Sequence, residues 1–271
     1  MATKQNDVRR SPVAALLYGA PIGLLGGLIG LGGAEFRLPV LAGVFGYAAR
    51  RAVALNLAIS LVTVVSALLI RSGTLSLDPL VALLPVALAM IAGAVSAAFV
   101  GVALVHRISE VLLERFILVL LVGIGTALVV EAFLPQEVSG FLPEGSALLL
   151  RLAVAVVLGV LIGLVSSLLG VAGGELIIPT LVFVFGAGIK TAGTASLLIS
   201  LPTVAVGVFR HSRLGSFTDR QDLSQTVAPM GAGSVVGAVA GGLLVGLVPA
   251  AALKLVLGVI LLVSAVRIFH R

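Results

Sequence analysis

The sequence lacks cysteine and tryptophan, and only 10% of its 271 residues are charged. Without cysteine, the chain can form neither a disulfide nor a thiolate metal site. Its three histidines lie far apart, so their spacing does not predict a metal site. By contrast, 60% of the residues are hydrophobic and the mean hydropathy is +1.27. This composition excludes a water-soluble globular domain and indicates an integral membrane protein.

The hydrophobic residues form continuous stretches of about 20 residues, the length that a helix needs to cross a bilayer. Transmembrane β-strands would instead alternate apolar and polar residues, so the sequence predicts an all-α polytopic membrane protein. The net charge of +6 comes from basic residues at the ends of apolar segments, which is typical of topology signals and does not indicate nucleic-acid binding. The expected partner is the lipid bilayer, and no cofactor is expected.

Two similar glycine-rich stretches interrupt the apolar pattern. GLIGLGGAEFRLPVL occupies residues 27–41, and SLLGVAGGELIIPTL occupies residues 167–181. In each, a glutamate follows the glycines and a proline follows four positions later. Because glycine and proline both disfavour a continuous helix, each stretch predicts a broken helix. Broken backbone at membrane depth is tolerated where it is packed in protein or lines a polar cavity, so both stretches are candidate solute sites.

The halves of the chain align without a gap when they are offset by 140 positions, as from Gly30 to Gly170. The same offset pairs these distinctive residues: Gly33 with Gly173, Glu35 with Glu175, Pro39 with Pro179, Arg50 with Lys190, Ser60 with Ser200, and Thr63 with Thr203. Compositional bias does not place acidic, basic, hydroxyl and proline residues in register. The sequence therefore predicts an internal duplication, with transmembrane repeats at residues 1–140 and 141–271.

Each repeat is expected to contain about four to five helical elements. The first runs from near Pro12, and its polar, basic leader predicts an uncleaved first helix with a cytoplasmic amino end. The remaining apolar segments lie at 36–46, 50–70, 79–105, 111–133, 148–169, 175–186, 190–209, 223–247 and 250–269. The run at 36–46 covers only about 16 Å as a helix, about half of the hydrocarbon core, which predicts a half-helix or re-entrant segment.

The relative orientation of the repeats depends on whether the short run at 36–46 crosses the membrane. If it does, the repeats are parallel, and the arginines at 50, 51, 107 and 115 lie outside the cell. If it returns the chain, the repeats are inverted and these arginines join the other basic residues in the cytoplasm. The excess of basic residues on cytoplasmic loops favours the inverted arrangement.

The duplicated glycine turn, the following Glu and Pro, the basic residue and the hydroxyl-bearing helix together resemble the TauE/SafE family of sulfite exporter-like permeases. The resemblance covers essentially the whole chain. It implies an inner-membrane, multi-pass transporter of about eight spans whose substrates are small sulfur-containing anions such as sulfite or organosulfonates. The repeats differ at two positions: Ala34 corresponds to Gly174, and Arg37 corresponds to Ile177.

A small anion in a membrane needs hydrogen-bond donors and a positive potential, which the amino ends of half-helices supply. The candidate substrate-binding glycines are Gly30, Gly32, Gly33, Gly170, Gly173 and Gly174. A polar stripe at helical spacing after each break adds Asn56, Ser60, Thr194, Ser196 and Ser200. Close helix packing and hydrogen bonds between helices are the structural alternatives for these two sets.

Glu35 and Glu175 are expected to be costly at membrane depth, by roughly 2.5 to 3.5 kcal/mol if charged, which indicates a specific role. Either they carry a coupled proton or they have a structural role, pairing with a nearby N–H group or basic side chain. Arg50 and Lys190 are candidates for attracting anions at an entrance, although a basic residue at a helix end is more often an interfacial anchor.

Together these features predict a secondary transporter of a small sulfur-containing anion. Export is favoured, and the coupling proton remains one of two roles for the glutamates. The sequence contains no nucleotide-binding motif for an ATP-driven pump and no paired acids, serine–histidine motif or HExxH for an intramembrane enzyme. A non-transporting structural membrane protein is the remaining alternative, but it leaves the duplicated acid unexplained. The sequence does not indicate the oligomeric state.

Overall fold

The computed structural model describes residues 11–105, 118–119, 122–123, 125–130, 132–133, 140–143, 145–169 and 172–269. All regular elements within these ranges are helical, which confirms the predicted all-α class. The predicted segment at 111–133 and the acidic loop after it lie largely outside the described residues, although residues 125–130 are helical.

The first half of the chain alternates long and short helices. Their bounds are α1 Pro12–Leu25, α2 Ala34–Pro39, α3 Ala49–Thr74 and α4 Asp78–Val105. Helix α1 starts at a proline, whose missing N–H costs nothing in the first turn. Both α1 and α2 continue into a wider π-helical turn, at Gly26–Gly30 and Val40–Val44.

The second half repeats this layout. Its helices are α5 Leu148–Leu169, α6 Gly174–Phe183, α7 Ile189–Arg213, α8 Arg220–Leu244 and α9 Ala250–Phe269. The half-helices predicted at 36–46 and 175–186 are confirmed as α2 with its π-helical turn and as α6. The domain boundary near residue 140 stays a prediction.

Within the described residues, six helices are long and apolar enough to cross a membrane. They are α1 with its π-helical turn, α3, α4, α5, α7 and α8. Helix α6 and the apolar part of α9, Ala250–Val263, are shorter. The chain is therefore a multi-pass membrane protein, while the expected total of about eight spans stays a prediction.

Small residues allow α1 and α8 to pack closely against each other. A Cβ atom added at Gly23 or Gly27 would overlap the backbone of Ser234 or Ala238, respectively. Residue numbers rise together along the two helices, so α1 and α8 run parallel. Without a hydrophobic driving force in lipid, such close backbone packing is a main source of helix association.

The corresponding helices of the two repeats, α3 and α7, run in opposite directions. Near one end, Arg71 of α3 donates a hydrogen bond to Thr194 of α7 at 3.0 Å. Further along, Leu57 of α3 lies against Gly207 of α7. From the first contact to the second, residue numbers fall along α3 and rise along α7. The two helices are therefore antiparallel.

Substitution of Gly237 by alanine is expected to destabilise the protein, because the added Cβ would meet the backbone of Ala20 and Leu24. Overpacking of this kind costs roughly 1–3 kcal/mol, which should lower the thermal unfolding midpoint in detergent by several degrees. The matched control is Gly73→Ala in α3, where an added Cβ meets no atom within 4 Å. The control should keep or raise the midpoint. Equal midpoints for the two variants would contradict the packing described here.

Candidate functional site

The candidate site starts from two left-handed glycine turns that separate each long helix from its half-helix. Gly32 and Gly33 have φ angles of 78° and 75°, and Gly173 has a φ angle of 77°. Side chains other than hydrogen strain this conformation, so glycine is required at these positions. Each turn ends one helix and starts the next at a new angle, which explains the break that the sequence predicts.

The two turns meet inside the protein. A Cβ atom added at Gly174 would lie 3.1 Å from the Cα of Leu31 and 3.2 Å from the Oγ of Ser196. One added at Gly32 would lie 3.9 Å from the Cβ of Ala172. The glycine turns of the two repeats are thus direct neighbours, with the backbone of one against the start of α6 in the other.

Ser196 is a buried hydroxyl at this contact. The residue has no exposed surface, and its Oγ has no hydrogen-bond partner among the residues that the structure describes. A buried hydroxyl without a hydrogen-bond partner costs about 1–3 kcal/mol of folding free energy, so such groups are uncommon and call for an explanation. Helix α6 begins at Gly174, which packs against Ser196. The Ser196 hydroxyl is therefore close to the first N–H groups of α6, which have no partner within the helix.

In the first repeat, the polar stripe of α3 binds an arginine. The guanidinium of Arg37 donates through Nη1 to Asn56 Oδ1 at 3.3 Å and to Ser60 Oγ at 2.9 Å. Its Nη2 donates to Thr63 Oγ1 at 3.2 Å. All four residues are fully buried. The structure therefore places Asn56 and Ser60, two predicted substrate-binding residues, around a cation.

Arg37 also joins this stripe to the glycine turn and to α8. Nη2 donates to the carbonyl oxygen of Gly32 at 3.3 Å and to Ser234 Oγ at 3.4 Å, whereas Nε has no partner. Sequence reasoning noted Arg37 only as a difference between repeats and a possible partner for a glutamate, and it missed Ser234. The available sequence signal for Arg37 was an arginine that follows a glycine break within an apolar segment.

The second repeat satisfies the equivalent turn differently. Ile177 stands where the first repeat has Arg37, and Ser200 Oγ donates to the carbonyl oxygen of Ala172 at 2.9 Å. With the offset of the repeats, this carbonyl corresponds to that of Gly32. The hydroxyl of Ser200 thus replaces a guanidinium donor, and the second repeat has no arginine at its break.

The two duplicated glutamates have different surroundings. Both carboxylate oxygens of Glu35 are buried and have no hydrogen-bond partner within the described part of the chain. Glu175 is half-buried and has an interaction partner. Sequence alignment treats these acids as equivalent, but the structure distinguishes them. An ionised carboxylate without partners in the membrane interior is costly, so Glu35 is the more unusual of the two.

A second buried arginine, Arg71, uses the predicted residue Thr194 for a structural network. Its Nε donates to Thr194 Oγ1 at 3.0 Å, and Nη2 donates to the carbonyl oxygen of Lys190 at 2.7 Å. Nη1 donates to the carbonyl oxygens of Gly27 and Leu28 at 2.9 Å. Arg71 lies just beyond the apolar segment predicted at 50–70, so sequence reasoning did not consider it.

Of the two basic residues that were predicted to attract anions, Lys190 and Arg50, the structure describes only the side chain of Lys190. Lys190 Nζ donates to the carbonyl oxygen of Gly246, which joins α7 to the loop after α8. The side chain of Arg50 and all of Gly170 lie outside the described residues. Gly30, with a φ angle of 97°, packs directly against the backbone of Gly193.

An ion pair at the opposite end of α3 was not predicted. Arg51 Nη2 lies 2.8 Å from Asp222 Oδ2, and Tyr47 donates its hydroxyl to the same carboxylate at 2.9 Å. Arg51 also binds the carbonyl oxygen of Ser216. These contacts tie α3 and the loop after α7 to the start of α8. Among the described residues, no group of three or more His, Asp or Glu side chains is placed to hold a metal ion.

Comparisons with known proteins agree with this architecture. The sequence profile of the family described as "Sulfite exporter TauE/SafE" matches residues 1–128 and 155–271. A probable membrane transporter protein of Methanocaldococcus jannaschii is 27% identical over 123 residues, which are 44% of this chain and 45% of that protein. The matched region thus spans slightly less than half of that relative's length. No solved structure matches the chain.

Removal of the Arg71 guanidinium by Arg71→Gln is expected to destabilise the protein strongly. The change breaks charge-assisted bonds to Thr194 and to three carbonyl groups, and a loss of about 3 kcal/mol or more is typical for such buried networks. Thermal unfolding in detergent measures the effect. Arg213→Gln is the control, because exposed Arg213 contacts only the Phe209 ring, at 5.0 Å. If both variants unfold at the same temperature, Arg71 does not have this structural role.

Proposed function

The chain belongs to the sulfite exporter TauE/SafE family, and on that basis we propose that this membrane transporter moves small sulfur-containing anions, sulfite or an organosulfonate, across the inner membrane. The family description favours export as the direction. Secondary transport is proposed because the sequence contains no nucleotide-binding motif.

One observation carries the proposed site: the two glycine turns meet at a buried hydroxyl that has no partner. Discontinuous helices of secondary transporters commonly bind their solute where two repeats meet near the middle of the membrane. Ser196 lies in the first third of α7, next to the start of α6, and a bound oxyanion would accept the hydrogen bond that its hydroxyl does not otherwise make.

The glycine residues of the turns allow close backbone approach and supply backbone donors. The first N–H groups of α6 have no partner within the helix, and the helix dipole there favours negative charge. Leu31, Val64 and Ile22 pack against Gly174, Gly32 and Gly33, respectively, so the turns must separate before a solute enters. We assign direct anion contact to Ser196 and the start of α6, while Asn56 and Ser60 act through Arg37 and Thr194 acts through Arg71.

We propose that the repeats are inverted, which would support an alternating-access mechanism. The aligned helices α3 and α7 run antiparallel, which is the relation expected when a two-fold axis in the membrane plane relates the repeats. In this arrangement the amino terminus and the arginines at 50, 51, 107 and 115 are cytoplasmic. Rocking of one repeat against the other would then open the glycine turns to each side in turn.

Glu35 is the proposed proton carrier. Ionised, its unpartnered carboxylate would repel an anion at the nearby turn; protonated, it would not. Binding of an anion would therefore accompany uptake of a proton. Glu175 is assigned a structural role because it already has a partner.

The transport function is tested with purified protein in lipid vesicles and labelled sulfite. Wild type is expected to give saturable uptake, and Ser196→Ala should raise the half-saturation concentration about tenfold, the effect of losing a hydrogen bond to a charged ligand. Ser72→Ala, at an exposed hydroxyl that bonds Leu69, is the matched control and should behave as wild type. Vesicles that move neither sulfite nor any organosulfonate would favour a non-transporting membrane protein.

Proton coupling is tested by imposing a pH gradient on the same vesicles. Sulfite flux through wild type should change several-fold with the gradient, whereas Glu35→Gln should retain saturable flux without this response, because an amide cannot carry a proton. Glu175→Gln should keep the response. A Glu35→Gln variant that follows the gradient as wild type does would eliminate coupling through this residue.

A further inference from the structure

Arg37 places a cation in the middle of the membrane. Its partners Ser60 and Thr63 lie near the centre of α3, and its partner Ser234 lies near the centre of α8. The arginine itself has no exposed surface. A charged side chain at the centre of a bilayer costs at least roughly 2.5 to 3.5 kcal/mol, so its presence needs a functional explanation.

The groups that bond to the guanidinium of Arg37 are all neutral. Thr63 and Ser234 donate their own hydroxyl hydrogens to the carbonyl oxygens of Ile59 and Gly19, at 2.8 and 3.2 Å. Each hydroxyl can therefore only accept from the guanidinium. Arg37 forms no ion pair in the described part of the chain, and the carboxylate oxygens of Glu35 do not bond to it. The hydrogen-bonding partners are thus neutral acceptors, while the nearby Glu35 carboxylate interacts with the charge without bonding to it.

The amide of Asn56 supports the same assignment. Its Nδ2 donates to the carbonyl oxygen of Ala34 at 3.1 Å, and this bond turns the amide oxygen toward Arg37. The half-helix α2 thus binds the stripe of α3 both through its backbone and through its arginine. This double attachment holds the guanidinium in place before any ligand arrives, which lowers the cost of binding one.

Arg71 shows how a purely structural arginine is balanced in this fold. Three of its four bonds go to backbone carbonyls, and two of these belong to Gly27 and Leu28 near the carboxyl end of the first helix. That end carries the negative part of the helix dipole, which compensates for the cation. Arg37 contacts one carbonyl and otherwise only hydroxyl and amide oxygens.

Arg37 lies directly beside the glycine turn of the first repeat. A Cβ atom added at Gly33 would lie 3.3 Å from Nη2, so a side chain there would press against the guanidinium. Nη2 also binds the carbonyl oxygen of Gly32, the residue that faces Ala172 across the contact of the two turns. Arg37 and Ser196 therefore border the same contact from opposite repeats.

We propose that Arg37 is the residue that selects a negatively charged substrate, by holding one oxyanion at the contact of the two glycine turns. The inference rests on the proposed transport function and adds its charge-selecting group. Since Ile177 replaces the arginine in the second repeat, the carrier has one such cation and binds one anion in each cycle.

The test measures sulfite binding apart from transport, as the sulfite-dependent rise in the thermal unfolding temperature in detergent. Arg37→Gln should weaken the apparent affinity about tenfold or more, and Arg37→Lys should weaken it less, because lysine keeps the charge but lacks the unpartnered Nε–H of the guanidinium. Arg151→Gln is the matched control. Arg151 is also a buried arginine with unpartnered nitrogens, but it lies at the start of α5, and its removal should leave sulfite affinity unchanged.

The outcomes separate this inference from the transport proposal. Wild-type sulfite affinity in any folded Arg37 variant overturns the role of Arg37, even if vesicles transport sulfite. Sulfite binding that depends on Arg37 without any transport supports the anion site and overturns the transport function. If wild-type protein neither binds nor transports sulfite, both proposals fail. If Arg37→Gln does not unfold cooperatively, Arg37→Lys decides the question by the same criterion.

Discussion

The structure depends on one constraint: polar groups inside a bilayer must find partners within the protein. Two helices break at glycine turns, and each break frees backbone groups that water cannot reach. In the first repeat the guanidinium of Arg37 binds the carbonyl oxygen of Gly32, and in the second the hydroxyl of Ser200 binds that of Ala172. Most of the buried polar side chains of α3 and α7 serve these breaks or anchor the helices around them.

The contrast between the repeats follows from this constraint. A duplicated sequence would be expected to build two similar sites, yet one substitution, Arg37 against Ile177, redirects the whole polar stripe of the first repeat. Asn56 and Ser60 bind the arginine, whereas Ser196, the counterpart of Asn56, has no hydrogen-bond partner among the described residues of the second repeat. The contact of the two turns therefore has a cation on one side and an unused donor on the other.

Much of the fold could be predicted from the sequence, because helix breaks and helix packing depend on local chemistry. The left-handed turns need glycine, the half-helices follow them, and the small residues of α1 and α8 allow backbone contact. The aligned repeats also directed attention to the correct pair of breaks. These features depend on residue type and spacing, which can be read from a single sequence.

The candidate site was less predictable, because its chemistry depends on contacts between distant segments. Ser234 binds Arg37 across nearly 200 positions, and no sequence pattern indicates that contact. Thr194 was predicted to bind substrate, but Arg71, just past the expected helix end, occupies its hydroxyl. Glu35 and Glu175 align perfectly and differ only in their surroundings. Alignment of the repeats identifies the polar residues, but packing determines which of them already have hydrogen-bond partners within the protein.

The central claim is that one oxyanion binds where the glycine turns of the two repeats meet. The most direct measurement is an experimental structure with selenite, a heavier analogue of sulfite whose selenium can be located by anomalous scattering. The claim predicts a single selenium position between Gly32 and Gly174, within contact of Arg37 and Ser196. Selenium elsewhere in the protein, with dry packing between the two turns, would contradict it.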